Sequence, residues 1–192
     1  MVAVRVRLLL LALLLGLGVP AQAAVTITFL SRDFGESFPH AFVEVTGATD
    51  ADPATAVDTN YGFTAKAVTP AILMGSVGGK VDQVDAGYVR KSQRHFAVRL
   101  SDAQYAEVLR TVDEWRNLPA PSYNLNRRNC VHFVAAVARA IGLDAADAPG
   151  LMKKPRSFLV GVTAKNPTVD TSIATVPHVD PATIDPKYAR GR

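Results

Sequence analysis

Alternation of apolar and polar residues predicts short β-strands in the first half of the chain. Residues 25–30, 40–45 and 93–100 alternate in this way, and residues 60–65 are aromatic and β-prone. In the second of these strands His40 shares one face with Phe42. Because His40 opens its strand, its side chain is held by the sheet and still reachable from solvent.

Helical spacing of apolar residues predicts two main helices in the second half. The first follows a capping box at Ser101 and ends near residue 117. The second has a good N-cap in Asn129 and a good stop in Gly142. A shorter helix or turn is predicted for residues 156–161. The apolar stripe of the second helix consists of Cys130, Phe133, Val134, Val137, Ala138 and Ile141.

Composition and the two chain ends predict one exported domain. Of the 192 residues 48% are hydrophobic and 20% are charged, which suits a single globular core. Arg5 and Arg7 precede an apolar run at 8–17 and a small-residue cleavage pattern, so residues 1–24 are read as a signal peptide. We expect a mature domain over 25–162 and an extended or disordered tail over 163–192.

Charge and hydropathy limit the classes of partner that the sequence predicts. Without the two signal-peptide arginines, 19 basic residues face 17 acidic ones, so the full chain's excess of basic residues is partly the signal. This balance indicates no nucleic-acid partner. No apolar run after the signal is long enough to span a bilayer, so we expect a periplasmic or secreted protein without an integral membrane segment.

Cys130 is the only cysteine, and its position suggests a nucleophile. A thiol in a first helical turn lies near unpaired backbone N–H groups, which lower its pKa, and Arg127 and Arg128 would act in the same direction. An unpaired cysteine in an exported protein indicates either an intermolecular disulfide or a retained reactive thiol. The alternative is a small buried core residue.

A cysteine nucleophile needs a base, and the chain offers four histidines. His40 is the first choice and His95, placed on the polar face of its strand, is the second. His132 projects roughly 200° from Cys130 around the helix axis and cannot face the thiol. His178 lies in the tail, where we expect it to be solvated.

A third group should orient the imidazole, and Asn60 is preferred, with Asp58 behind it. Glu44 lies about 13 Å along the strand from His40, too far for a hydrogen bond. No ligand spacing predicts a metal, and no cofactor is expected. The glycine-rich segment at 75–81 is one residue short of a phosphate-binding loop and has Val81 where the metal-binding hydroxyl belongs.

The residues around Cys130 resemble a known superfamily. Tyr123-Asn124-Leu125 followed by Asn-Cys-Val-His-Phe-Val at 129–134 resembles the Y-N-L…N-C-x-x-F-V signature of circularly permuted papain-like, NlpC-type cysteine hydrolases. The lecithin retinol acyltransferase-like branch has N-C-E-H-F-V there. In that superfamily a histidine opening an early strand precedes the cysteine, and His40 fits this slot. The resemblance covers about residues 25–158.

The resemblance implies an α+β fold, with a small antiparallel β-sheet packed against the cysteine-bearing helix. It also implies Cys130 as nucleophile, His40 as base, and the backbone N–H of Cys130, helped by Tyr123 or Asn129, at the oxyanion. The acyltransferase branch has a second histidine as third residue; this chain has none at that place, and Asn60 is the substitute.

Two functions follow as hypotheses. The first is an exported thiol hydrolase or acyl transferase using a Cys-His pair through an acyl-enzyme intermediate, acting on amide bonds such as those of cell-wall peptides, with esters as the other substrate class. The second is a non-catalytic binding or structural domain that retains the fold, with Cys130 as a core residue.

Overall fold

The computed structural model describes residues 24–33 and 38–175. The predicted signal peptide, up to residue 23, and the tail beyond residue 175, which includes His178, lie outside the described residues. The described chain is an α+β fold of five strands and five helices. The strands are β1 Val25–Arg32, β2 His40–Gly47, β3 Val57–Ala65, β4 Gly79–Asp82 and β5 Gln93–Leu100. The helices are α1 Ala71–Met74, α2 Ala86–Arg90, α3 Asp102–Arg116, α4 Cys130–Ala140 and α5 Pro155–Lys165.

The five strands form one antiparallel sheet in the order β4-β3-β2-β1-β5. Consecutive strands pair from β1 to β4, and β5 returns to the free edge of β1. In the β1–β2 ladder Arg32 lies opposite His40. The β2–β3 ladder ends at the Val43–Tyr61 pair, so the first residues of β2 extend beyond it.

The predicted apolar stripe of α4 is confirmed as the centre of the core. All six of its residues are buried, and the helix packs against β2 and β3. Trp115 of α3 contacts the rings of Phe63 and Phe133 edge-on, which ties α3, α4 and the sheet together. Burying one such large apolar side chain contributes about 1.5–3 kcal/mol. The small antiparallel sheet packed on the cysteine helix is therefore confirmed.

The opposite face of the sheet carries a smaller cluster. Leu30, Phe42 and Val89 form it, and Tyr88 packs at its side. Val89 and Tyr88 belong to α2, a five-residue helix begun by Asp85, whose carboxylate accepts a hydrogen bond from the Tyr88 N–H. Helix α2 is not predictable from the sequence pattern, because five residues carry too little periodicity to show a helical face.

Several predicted bounds shift by a few residues. Strand 93–100 and the capping box of Ser101 with Gln104 are confirmed. β3 begins at Val57, and the last helix extends to Lys165, so the first three residues of the predicted tail are helical. The segment after α5 runs beside β5, where backbone pairs join Ala97 with Asp170. This contact covers the outer edge of β5.

His95 does not lie on a wet strand face, and the prediction that it does is wrong. Phe29 pairs with Phe96 but Leu30 pairs with Arg94, so His95 is the extra residue of a β-bulge. The bulge breaks the alternation, and His95 is only 1% exposed. Its Nε2 lies 2.8 Å from Ser31 Oγ, while Nδ1 has no hydrogen-bond partner within the described chain.

Burial of His95 predicts acid sensitivity. Desolvation lowers the pKa of His95 to about 4, with Arg156 acting in the same direction. The unfolded chain therefore binds the proton near pH 6.5 and the folded chain near pH 4, so stability falls as the pH drops through this window. Between pH 7 and pH 4.5 we expect this residue to cost about 2–3 kcal/mol of unfolding free energy.

Urea unfolding at pH 7, 5.5 and 4.5 measures this loss. His95→Gln should flatten the pH dependence, whereas His132→Gln, at a half-buried helix position, should change it much less. Equal slopes for wild type and His95→Gln would contradict the assignment.

Candidate active site

Asn129 fixes the start of α4. Its Oδ1 accepts hydrogen bonds from the backbone N–H groups of Val131 (2.8 Å) and His132 (3.3 Å). Its Nδ2 donates to the backbone oxygens of Leu125 (2.8 Å) and Met152 (2.7 Å). The predicted N-cap is thus confirmed. Because both Nδ2 protons are engaged in the fold, Asn129 does not offer a donor to an oxyanion, and that expectation is corrected.

Cys130 follows directly and is buried, with 5% of its surface exposed. Burial raises the pKa of its thiol to about 11. Backbone N–H groups of Ala41, Val131 and Cys130 itself oppose this shift but do not overcome it. The expectation of a lowered pKa is therefore wrong for the resting protein, because desolvation of the thiolate outweighs the helix terminus.

The backbone of Ala41, near the beginning of β2, lies close to the Cys130 sulfur. Ala41 lies two residues beyond the Val43–Tyr61 pair that closes the β2–β3 ladder. Its N–H favours the thiolate and so acts to lower the pKa of Cys130. The thiol therefore occupies the space where β3 has stopped pairing with β2, one residue from His40.

The imidazole of His40 borders the same space. Its ring stacks on Phe42, with centroids 5.9 Å apart, and a Cβ built on Gly62 would lie 2.5 Å from Nε2. The ring thus leans from β2 across the backbone of β3. His40 is half-buried, and desolvation lowers its pKa to about 4 although the charge of Asp82 acts to raise it.

Cys130 and His40 reach this space from different faces of the sheet. Cys130 belongs to the main core, whereas His40 stacks on Phe42 of the smaller cluster. No hydrogen bond joins the two side chains. At neutral pH the pair is an uncharged thiol and an uncharged imidazole, because each group is buried enough to disfavour its charged form.

Two tyrosines lie within electrostatic range of the sulfur. Burial raises the pKa of Tyr123, and a negative charge on Cys130 raises it further. The pKa of Tyr88 is raised by the same two causes, while Arg32 lowers it. Both phenols therefore remain protonated donors within electrostatic range of Cys130. Tyr123 was a sequence candidate, whereas Tyr88 was missed because it depends on the unpredicted helix α2.

Asn60 does not orient His40. Its side-chain amide donates to the Val84 oxygen (2.9 Å) and accepts from the Val84 N–H (2.8 Å). In the ladder it faces Glu44, four residues from His40. Asn60, Asp58 and Glu44 all line a cleft of about 330 Å³ that neither His40 nor Cys130 lines. The expectation of Asn60 as third residue is therefore corrected, and its function here is to anchor residue 84.

The remaining expectations about ligands concern the described residues only. His132 completes the cap of α4 by accepting a hydrogen bond at Nδ1 from the backbone N–H of Asn129 (3.4 Å), and it does not face the thiol. Within residues 24–33 and 38–175 no group of three or more His, Cys, Asp or Glu side chains is arranged to hold a metal ion. No helix in these ranges is both long and apolar enough to cross a bilayer.

Comparison with known proteins leaves the family open. No protein-family model matches the chain, and no curated protein matches it in sequence. Among solved structures, the chain is similar to the crystal structure of the type VI secretion system effector TseH, with a TM-score of 0.47 and 20% sequence identity. The match covers 72% of this chain and 87% of that chain. The functional assignment accordingly depends on this chain's own residues.

The raised pKa predicts a thiol that is slow to react in the resting protein. At pH 7 a thiol with a pKa of about 11 is ionised in about one molecule in ten thousand. Labelling of native Cys130 by iodoacetamide should be at least about a hundredfold slower than labelling of the urea-unfolded chain. The native rate should rise about tenfold per pH unit from pH 7 to 10. A plateau reached below pH 8 would show that the thiolate is stabilised instead.

Proposed function

We propose that this chain is an exported thiol hydrolase or acyl transferase with Cys130 as nucleophile and His40 as base. One observation carries the proposal most strongly. The backbone N–H of Ala41 lies close enough to Cys130 to act on the pKa of its thiol, and Ala41 follows His40 directly, beyond the last pair of the β2–β3 ladder. The order of histidine and cysteine along the chain, and the signature at 129–134, agree with permuted papain-like, NlpC-type enzymes.

Acylation begins from the uncharged pair. The proton of the Cys130 thiol passes to His40 while the sulfur attacks a carbonyl carbon, forming a C–S bond and moving an electron pair onto the carbonyl oxygen. When this oxyanion collapses, the bond to the leaving nitrogen or oxygen breaks. The proton on His40 passes to that atom, and an amine or alcohol departs.

Deacylation reverses these functions. His40 takes a proton from water as the water oxygen attacks the thioester carbonyl. The C–S bond breaks, the proton returns to the sulfur, and a carboxylic acid leaves. In a transferase an amine or alcohol replaces water in this step.

The developing oxyanion needs hydrogen-bond donors at the N-terminus of α4. The backbone N–H of Cys130 is one, since the first N–H groups of a helix have no partner within it. The hydroxyl of Tyr123 is the second, because it lies within electrostatic range of the sulfur and stays protonated. Loss of a single such donor costs about a hundredfold to a thousandfold in rate where it has been measured in other enzymes.

Amide bonds such as those of cell-wall peptides are the substrate class we propose first, with esters second. The signal peptide read from residues 1–24 supports this, because it would carry the chain to the compartment where cell-wall peptides occur. The proposal includes a periplasmic or secreted location and no cofactor.

A non-catalytic domain is the second candidate, and one observation favours it. Cys130 is 5% exposed with a pKa raised to about 11, which also describes a core cysteine without chemistry. In that case Cys130→Ala would leave every measurable property except stability unchanged.

Turnover by the purified mature protein separates the two candidates. Peptidoglycan fragments and acyl esters are supplied to wild type, Cys130→Ala, His40→Gln and the control His132→Gln. We expect no turnover from Cys130→Ala and a kcat lowered by about 10²–10⁴ in His40→Gln, because general base catalysis contributes that much. His132→Gln should stay near wild type.

A covalent intermediate should also be visible. Mass spectrometry of the acid-quenched reaction should show the acyl group on Cys130. Turnover that persists in Cys130→Ala would contradict the mechanism, and a complete absence of turnover and adduct in wild type on both substrate classes would favour the non-catalytic domain.

Gly62 gives an independent test of the position of His40. In Gly62→Ala the new Cβ would lie 2.5 Å from His40 Nε2 and 3.1 Å from the Phe42 Cβ, so the imidazole must move. We expect kcat to fall at least tenfold while the fold is kept. Gly78→Ala is the matched control, because its nearest neighbour is the flexible side chain of Lys66 at 3.4 Å. Equal activities in the two variants would contradict the placement.

A further inference from the structure

Gly62 and Asp82 lie directly opposite each other in the β3–β4 ladder. Opposite residues of an antiparallel pair point to the same face, with Cβ atoms about 4.5–5.5 Å apart. A Cβ on Gly62 would lie 2.5 Å from His40 Nε2. The Cβ of Asp82 is therefore within about 8 Å of that nitrogen. Gly62 places no side chain between the imidazole and this residue of β4, whose carboxylate pairs with Lys80 and accepts a hydrogen bond from the Gln83 N–H (3.1 Å).

We propose that Asp82 is the positioning residue of the site: its negative charge, on the same face of the sheet as the His40 ring and one strand beyond it across Gly62, stabilises the imidazolium and favours the ring orientation that leaves Nδ1 for the Cys130 proton. This inference rests on the proposed function. It assigns to β4 the part that the sequence analysis gave to Asn60 on β3.

A glycine at position 62 is what makes this arrangement possible. Any side chain there would fill the space now occupied by the ring, and the distances of 2.5 Å to His40 Nε2 and 3.1 Å to the Phe42 Cβ leave no room for a methyl group. The backbone of Gly62 has no positive φ, so the requirement is for space and not for a special conformation.

The carboxylate has a definite electrostatic effect on the ring. When His40 takes the thiol proton it becomes an imidazolium in a poorly solvated place, and a nearby negative charge lowers the free energy of that state. The charge of Asp82 already raises the pKa of His40, against the larger opposite effect of desolvation.

Other charged and titratable groups lie on the strands and helices near His40. Lys80 on β4 forms an ion pair with Asp82 and so weakens its effect. Arg32 on β1 lies opposite His40, with its guanidinium 4.4 Å from the centre of the Tyr88 ring on α2. Cys130 on α4 supplies the proton. Among the residues that the structure describes, Asp82 is thus the acidic one whose position favours the imidazolium form of His40.

The experiment measures the pKa of His40 and the rate in the same set of full-chain variants. A ¹H–¹³C NMR titration follows the His40 ring, identified by its loss in His40→Gln, in Asp82→Asn, Lys80→Gln and the control Asp58→Asn. Asp58 is an acidic residue of β3 that lines the other cleft. We expect the proton affinity of His40 to fall at least threefold in Asp82→Asn and to rise in Lys80→Gln.

Turnover gives the second measurement. Asp82→Asn should lower kcat about tenfold with KM unchanged, Asp82→Glu should recover part of this loss, and Asp58→Asn should match wild type. Asp82 and Lys80 have half-exposed side chains, so these variants should fold. If the Asp82→Asn variant unfolds in acid before its His40 titrates, the expected rise of the His40 pKa in Lys80→Gln is the measurement that tests the assignment.

The two proposals can fail separately. A His40 titration that responds to neither Asp82→Asn nor Lys80→Gln, together with a kcat in Asp82→Asn equal to that of Asp58→Asn, overturns the assignment of Asp82 even if Cys130 is confirmed as nucleophile. If no substrate is turned over but the titration shifts as expected, the link between Asp82 and His40 stands and the hydrolase proposal does not.

Discussion

The candidate site depends on the early end of the β2–β3 ladder. Pairing stops at Val43 and Tyr61, and the backbone N–H of Ala41, two residues further toward the start of β2, lies near the sulfur of Cys130. The same opening admits the His40 ring over Gly62. The end of backbone pairing between β2 and β3 thus lies beside both the thiol and the base.

The helix that carries Cys130 is held in place by ordinary packing and a single side chain. Apolar residues on one stripe of α4 bury against the sheet, and Asn129 connects the helix start to the backbone at Leu125 and Met152. These contacts accompany a buried position of the Cys130 sulfur. Their cost is desolvation, which raises the pKa of the thiol above its usual value. The packing that fixes the position of the sulfur therefore also keeps the resting thiol neutral.

Local signals in the sequence are sufficient for the longer strands and helices, and insufficient for the short elements α1, α2 and β4 and for the contacts between strands. The stripe of α4, the cap at Asn129 and the capping box at Ser101 follow from residues within one or two turns. The burial of His95 depends on a bulge that shifts the β1–β5 register, which no pattern within β5 reveals. The prediction that Asn60 orients the imidazole is wrong for a similar reason. Its bonds to Val84 come from a segment 24 residues further along the chain.

The register also explains why the acidic partner of the imidazole would come from β4. His40 can interact only with groups on its own face of the sheet, and on β3 the nearest position on that face is a glycine. The ring leans over this glycine, and the next strand then becomes the nearest source of a side chain. Asp82 occupies that position through the Gly62–Asp82 pair. A glycine on one strand and a carboxylate on the next act as a unit, because replacing the first by any larger residue would separate the second from the ring.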